Sequence, residues 1–366
     1  MGFTEFLGNE RIVSALRAML RRDRVPSALL FTGPRGIGKY TLARMFAQAA
    51  NCQRLKDDFC GECPSCLKIA RLATPLPLIE AGLTERGESA DAAAIERMPL
   101  IVETNPDVWL IVPDPVRLRT PVARPMIRVG QLRAVQRAAY FKPEGRRRVF
   151  IMDGADTMRW TDADLFLKIL EEPPESATLI LLASTPDSLL PTIRSRCLQF
   201  HFAPVPVEDI ESFLKERGER KAAERKTAAQ LGDGSPGVAL SIDLDESKRL
   251  RASVLSLLAK AAAGENYREV FAATAQLAKQ EKESFENILA IFYSLLTDLL
   301  EVSQSPKSSL PRNPDLRREL ESLGKQVNLE WILRATEGLD RLEGRLRRNV
   351  GRQLGLDQFA VTLGLR

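Results

Sequence analysis

The stretch Gly33-Pro34-Arg35-Gly36-Ile37-Gly38-Lys39-Tyr40-Thr41 constrains the fold more than any other part of this chain. A short apolar run, Ala28-Leu29-Leu30-Phe31, precedes it, and apolar residues at helical spacing (Leu42, Met45, Phe46, Ala49, Ala50) follow. Strand, glycine loop and helix in that order form a P-loop. Its backbone N–H groups close around phosphates, a lysine adds a point charge, and the helix N-terminus adds its partial positive charge. One position departs from the pattern. The residue after Lys39, ordinarily the Ser or Thr that ligates magnesium, is Tyr40, and Thr41 comes one residue late, turned by about 100° around the helix. The loop, through Gly33, Gly36, Gly38, Lys39 and Thr41, is suited to recognise phosphate and poorly suited to hold ATP with Mg2+. The bland alternative is a glycine-rich turn with no ligand.

Further apolar runs repeat the strand signal at 108–112, 148–152, 178–183 and 198–202, with helical patterns between them. With 28–32 they predict an α/β domain built on a parallel five-stranded sheet. The run Val149-Phe150-Ile151-Met152 ends in Asp153, a carboxylate at a strand end that holds magnesium through water in P-loop proteins. An active hydrolase of that type carries Glu next, to polarise the attacking water; here the residue is Gly154. Ser184-Thr185, at the end of the 178–183 strand, reads equally as a γ-phosphate contact or as a cap for the next segment.

Four of the five cysteines, Cys52, Cys60, Cys63 and Cys66, fall at C-x7-C-x2-C-x2-C spacing just past the P-loop helix. Four soft ligands in so short a stretch suit a closed, tetrahedral, structural Zn2+ site with no position open for catalysis. The alternative is a set of ordinary reduced thiols. Residues 74–104, broken by prolines and rich in acids, read as an insertion or surface excursion with a short helix at 88–97.

The single histidine, His201, lies in an apolar strand run and excludes any mechanism that needs two histidines. A net charge of +5 permits nucleic-acid contact without demanding it. Arg17, Arg21, Arg22 and Arg24 read as a solvated face or a phosphate contact. Arg133 and Arg137, at i and i+4 on a helix over 127–140, read as a solvated face or as candidate DNA contacts. Arg194 and Arg196 are either structural ion-pair partners or present an arginine to a neighbour's nucleotide. No apolar run approaches a membrane span, and Met-Gly-Phe-Thr-Glu-Phe lacks signal-peptide character, so the chain reads as cytoplasmic. After residue 204 strand signals stop. A small helical unit runs over 206–242 and helices fill 245–366, where Leu289, Phe292, Tyr293, Leu296, Leu299 and Leu300 make a wide apolar face for a core or an interface.

Three features together resemble one family. Cysteines follow the P-loop helix directly; Phe166-Leu167-Lys168-Ile169-Leu170-Glu171-Glu172-Pro173-Pro174 is similar to its Leu-Glu-Glu-Pro-Pro motif; and Leu190-Pro191-Thr192-Ile193-Arg194-Ser195-Arg196-Cys197 ends in its Ser-Arg-Cys. Gly8-Asn9-Glu10 and the stretch from Asn349 to Leu363 add weaker matches. The family is the bacterial DNA polymerase III clamp loader, in the AAA+ superfamily. The resemblance implies an AAA+ P-loop domain over 1–204, carrying a zinc module (52–66) and the 74–104 insertion. It also implies a helical lid over 205–244 and a collar for oligomerisation over 245–366. It implies partners too: delta and gamma/tau subunits, with the sliding clamp and primed DNA reached through the complex, and no membrane.

The departures from the family pattern are Tyr40, Gly154 and Gly237, the last standing where a hydrolysing subunit has a sensor arginine. Those losses, beside a retained Ser-Arg-Cys, are similar to the delta prime, or stator, branch. Arg196 would then be an arginine finger acting in trans, with little or no ATPase activity of the chain's own. The competing readings are a divergent gamma/tau-type ATPase that recruits Thr41 to the metal, and a stand-alone zinc-bearing DNA-binding adaptor.

Overall fold

The computed structural model describes residues 2–122, 124–158, 163–172, 174–264, 266–280, 282–304, 312–346 and 350–364. The proline-rich loop around 304–314 therefore lies largely outside the described residues, as do Pro173 and Asn349 of the family motifs. The described residues form two compact units, one of residues 1–217 with 234–238, the other of 218–233 with 239–366.

In the first unit the sheet has six strands: β1 (Ala28–Thr32), β2 (Val102–Asn105), β3 (Val108–Ile111), β4 (Arg148–Asp153), β5 (Ala177–Ala183) and β6 (Leu198–His201), in the order β2-β3-β4-β5-β1-β6. Five are parallel, as the apolar runs predict. The sixth corrects the expected count of five. β2 pairs antiparallel with β3 across a tight turn at the edge of the sheet, with Val102 and Asn105 buried, Glu103 exposed and an irregular register between Glu103 and Asn105. A four-residue polar segment, Val-Glu-Thr-Asn, inside a proline-broken acidic stretch carries too little apolar signal to read as a strand.

Eight helices of this unit bear on the site: α1 (Glu10–Arg21), α2 (Lys39–Ala50), α3 (Pro64–Ala70), α4 (Leu76–Arg86), α5 (Ala92–Arg97), α6 (Val129–Ala139), α7 (Ala163–Glu171) and α8 (Pro191–Arg194). β1, β4 and β5 are buried on both faces, so they read as unbroken apolar runs. One core joins Leu30, Met152 and Leu181 of the sheet to Leu132 and Val135 of α6, Phe166 and Ile169 of α7, and Ile193 of α8.

The 74–104 segment is built into the fold rather than draped over it. α4 and α5 replace the single helix expected at 88–97. Arg86, at the end of α4, donates to the carboxylate of Asp114 at 2.8 Å, with the two side chains 1% and 0% exposed. A buried pair of this kind costs desolvation, and losing either partner strands the other charge, which fixes the insertion to the loop after β3. Asp114 also accepts the Val116 N–H at 2.7 Å, and Gln131 of α6 donates to the carbonyls of Leu100 and Val112.

In the second unit, helices Leu244–Ala263, Tyr267–Ala278, Lys282–Gln304, Arg317–Gly324, Leu329–Leu346 and Arg352–Gly364 enclose one core, which includes Leu257, Phe292, Leu295, Leu320, Leu339 and Phe359. Phe292, Leu296 and Leu299 of the wide apolar face belong to that core, with Tyr293 and Leu300 packed against it. No helix among the described residues is long and apolar enough to cross a membrane.

Candidate functional site

β1 ends at Thr32 and the chain turns through Gly33, Gly36 and Gly38, with φ of 148°, 76° and 105°. Side chains are strained at such angles, so glycine at these positions follows from the turn itself. Lys39 opens α2. Its Nζ donates to the carbonyls of Gly33 and Pro34 at 2.5 and 2.9 Å, folding back over the loop it would serve. Burial lowers the Lys39 pKa against the opposing pull of Asp153 and Asp156. Burial likewise raises that of Asp153, which ends β4. The Ser184 hydroxyl, just past β5, donates to Asp156 at 2.7 Å, and the Ser184 carbonyl accepts the Gly33 N–H at 3.2 Å. Of the two roles open to Ser184-Thr185, Ser184 is thus engaged within the chain. The glycine loop with Lys39 follows β1, and Asp153 ends β4; these two parallel strands flank β5 and bring the loop, the lysine and the carboxylate to the same end of the sheet. Thr41 is exposed one residue further along α2.

Each of the three positions that depart from a hydrolysing site is committed elsewhere. Tyr40 Oη donates to the carbonyl of Leu72 at 2.5 Å, and burial raises its pKa, so it points toward the segment after the cysteines. Gly154 has φ of +80°, and a Cβ there would sit 3.0 Å from the Pro113 ring. Gly237 donates its N–H to the Gly36 carbonyl at 2.8 Å, and a Cβ on it would meet that oxygen at 2.8 Å and the Gly36 Cα at 3.1 Å. Both obstructing atoms are backbone, so no side chain fits at 237 while this turn rests on the loop. Gly154→Glu is accordingly expected to cost about 1–2 kcal/mol of stability in urea unfolding, the penalty for a side chain in left-handed backbone, and to confer no ATP turnover.

Arg196 lies at the other end of the sheet. It precedes β6, and β6 runs parallel to β1 with Leu198 beside Leu29 and His201 beside Thr32. Leu198 is in register with Leu29, four residues before Gly33, so at about 3.3 Å per residue the start of β6 is roughly 13 Å along the strands from the P-loop, beyond an arginine's reach. Arg196 donates to Glu171 at 2.7 Å and to the Thr192 carbonyl at 2.9 Å, and remains partly exposed. Arg194 pairs with Asp187 at 2.5 Å. His201 is a satisfied strand residue, its Nδ1 2.6 Å from the Thr32 hydroxyl.

The Sγ atoms of Cys52, Cys60, Cys63 and Cys66 all lie within 4.8 Å of one another. A tetrahedral ion with bonds of about 2.3 Å needs its sulfurs about 3.8 Å apart, so these residues fit zinc. The N–H groups of Leu55 and Cys63 donate to the sulfurs of Cys52 and Cys60. Backbone donors from Glu62 and Cys63 bring the Cys60 thiol down to about 6. Around the cluster, Asp57 takes Arg21 at 2.6 Å and Arg17 at 3.4 Å, and Asp58 accepts the Phe3 N–H at 3.0 Å. Two arginines of the N-terminal cluster therefore brace the cysteine module. Arg133 pairs with Glu96 at 2.6 Å, while Arg137 is exposed on the same face of α6. These acidic partners are far away in sequence and carry no signal in it.

A glycine loop after β1, a lysine heading α2 and an aspartate ending β4 define an α/β domain of the P-loop type on a mainly parallel sheet. A family profile described as "DNA polymerase III, delta subunit" matches residues 8–206, and "DNA polymerase III, delta subunit, C terminal" matches 246–363. The chain belongs to that family of DNA polymerase III subunits. It is similar to DNA polymerase III subunit gamma/tau of Mycobacterium tuberculosis H37Rv, 30% identical over 247 residues, which are 66% of this chain and 36% of that protein. It is also similar to subunit tau of Escherichia coli K12, 29% identical over 247 residues, 66% of this chain and 32% of that one. The chain thus spans 36% and 32% of these two relatives. A gamma subunit-related protein of Thermotoga maritima is a remote structural likeness, 18% identical with a TM-score of 0.34 over 97% of this chain and 99% of that one.

Proposed function

We propose that this chain is the delta prime, or stator, subunit of the clamp loader, and that Arg196 is an arginine finger for the ATP held by a neighbouring gamma/tau subunit. One observation carries the reading: Tyr40 is bonded to Leu72, added side chains at Gly154 and Gly237 would crowd Pro113 and the Gly36 backbone, and Arg196 stands at the far end of the sheet. Arg196 pairs with Glu171 inside the chain, but it cannot reach the chain's own P-loop, so any catalytic role it has is at another polypeptide's nucleotide. There it stabilises charge that develops on the transferred phosphoryl group. The neighbour hydrolyses; this chain supplies geometry and one cation.

On this reading residues 205–244 are a lid and 245–366 a collar that joins the chain to delta and gamma/tau. The complex opens the sliding clamp and sets it on primed DNA. Arg133 and Arg137 face a phosphate backbone, with Glu96 exchanged for phosphate at Arg133. The cysteine module holds a structural Zn2+. The competing reading is a hydrolysing gamma/tau-type subunit, favoured by the identity of the relatives. ATP turnover by the purified chain separates the two. The stator reading expects essentially none above a no-enzyme control, with or without primed DNA; sustained turnover abolished by Lys39→Ala would replace it with the gamma/tau reading.

A further inference from the structure

The 74–104 insertion has no task in the stator reading, yet it holds the loop between β3 and α6 in one shape. Asp114 and Met126 close the base of that loop as an antiparallel bridge. Above the bridge Val116 is turned to φ of +74°, which a β-branched residue adopts only under strain. Contacts from the insertion and the loop base enforce it. Buried Asp114 accepts the Val116 N–H at 2.7 Å, and Arg86 of α4 donates both to Asp114 and to the Met98 carbonyl at 3.0 Å. Glu88 accepts the N–H groups of Leu118 and Arg119 at 3.0 and 2.8 Å. The part held out to solvent is Arg117-Leu118-Arg119-Thr120-Pro121-Val122, exposed throughout. Leu118 is 40% exposed and Val122 36%; Met98, whose carbonyl rests on the same Arg86, is 44% exposed. From Pro115 to Met126 the loop carries Arg117, Arg119 and Arg124 and no acid. The Arg117 and Arg119 side chains have no hydrogen bond or ion pair among the described residues.

We propose that this loop, braced by the insertion, is a docking site for an acidic peptide segment that carries apolar side chains, presented by a partner protein. The site does not depend on whether the chain is a stator or a hydrolysing subunit. Charge complementarity selects the occupant. Two guanidinium groups without partners offer forked donors that match carboxylates. Leu118, Val122 and Met98 gain free energy only when an apolar side chain covers them. A nucleic-acid strand is a poorer match. The exposed stretch has no aromatic ring on which a base could stack, and the Glu88 carboxylate beneath the tip opposes a run of phosphates. A short peptide meets the two cations and the apolar side chains between and beside them without passing over Glu88. The loop is already held in shape, so binding costs little further ordering of the chain.

The experiment uses the full chain and, as probe, a fluorescein-labelled peptide of aspartates interrupted by leucines, with binding read by fluorescence anisotropy at physiological salt. R117A/R119A is expected to raise Kd by about 10-fold or more, and L118S by about 5-fold. The thermal transition should be kept, since all three side chains are exposed. The same peptide with serine in place of leucine should bind about 5-fold more weakly. R11A/R22A removes the same charge from exposed positions on and just after α1 and should leave Kd within about 2-fold, as screened distant charges do. No detectable binding of the peptide overturns the inference. So does equal weakening by R11A/R22A and R117A/R119A, which reduces the effect to net charge. Tighter binding of a single-stranded oligodeoxynucleotide that R117A/R119A abolishes, with L118S and the serine peptide without effect, assigns the loop to nucleic acid and also overturns it. The stator reading is tested separately by ATP turnover, which none of these outcomes decides.

Discussion

Replacing Arg196 with alanine is expected to leave the chain folded and assembled while DNA-dependent ATP turnover collapses at the site it serves. The fold should tolerate the change. Arg196 is partly exposed, and its bond to Glu171 is a surface ion pair, worth about 0–1 kcal/mol. The effect on chemistry is far larger, since an arginine finger contributes about 10³–10⁵ in rate where it meets the phosphoryl group. On the stator reading only the neighbour's site next to this chain would lose the group, and the whole complex would retain what its other sites supply. Single-turnover measurement resolves the affected site from the rest. Arg196→Lys should rescue little, because an ammonium cannot reproduce the planar fork of N–H donors. Equal single-turnover rates in wild-type and R196A complexes would remove the finger from the account.

The elements that read clearly from the sequence are those with local causes. β1, β4 and β5 are buried on both faces, so hydrophobicity alone marks them to within a residue. The cysteine cluster was legible because close spacing in sequence forces closeness in space. β2 was not, because an edge strand of four residues gains its order from β3 and from the Arg86–Asp114 pair, partners that lie outside its own segment. The candidate site divides in the same way. The residue types Tyr40, Gly154 and Gly237 were visible as losses, yet their meaning depends on contacts across 32 positions to Leu72, across about 40 to Pro113 and across about 200 to Gly36. Seen only as missing side chains, they suggest simple decay. With their contacts, each is occupied by a different bond or close approach, and restoring one side chain alone would not restore the site. The roles of Glu171 and Glu96 had no sequence signal at all, since an isolated glutamate names no partner.

Removal of the metal from the Cys52–Cys66 module should have the largest effect on stability. The purified chain is expected to carry one zinc per molecule by mass spectrometry of the metal, and Cys63→Ser with Cys66→Ser to carry essentially none. A structural zinc site is worth apparent binding energies of about 10–16 kcal/mol in small zinc-binding peptides, against a total stability of about 5–15 kcal/mol for a typical domain. Here the segment is also held by Asp57 to Arg17 and Arg21, by Asp58 to Phe3, and by the edge-on contact of Phe3 with Phe59 at 5.8 Å. Its loss should therefore open the module and the N-terminal segment while the sheet survives. Amide hydrogen exchange reads this directly. Protection should fall over residues 52–72 and 3–6 and persist in β4 and β5. The first turn of α2 gives the discriminating signal. Tyr40 is bonded to Leu72, which follows the last cysteine by six residues, so a module that braces the P-loop helix must transmit its own unfolding to that turn. Faster exchange at residues 39–42 in the metal-free chain would mean that zinc maintains the loop's geometry through the tyrosine. Unchanged exchange there, with the module itself opened, would confine zinc to a local staple and leave the Tyr40 bond without consequence for the loop.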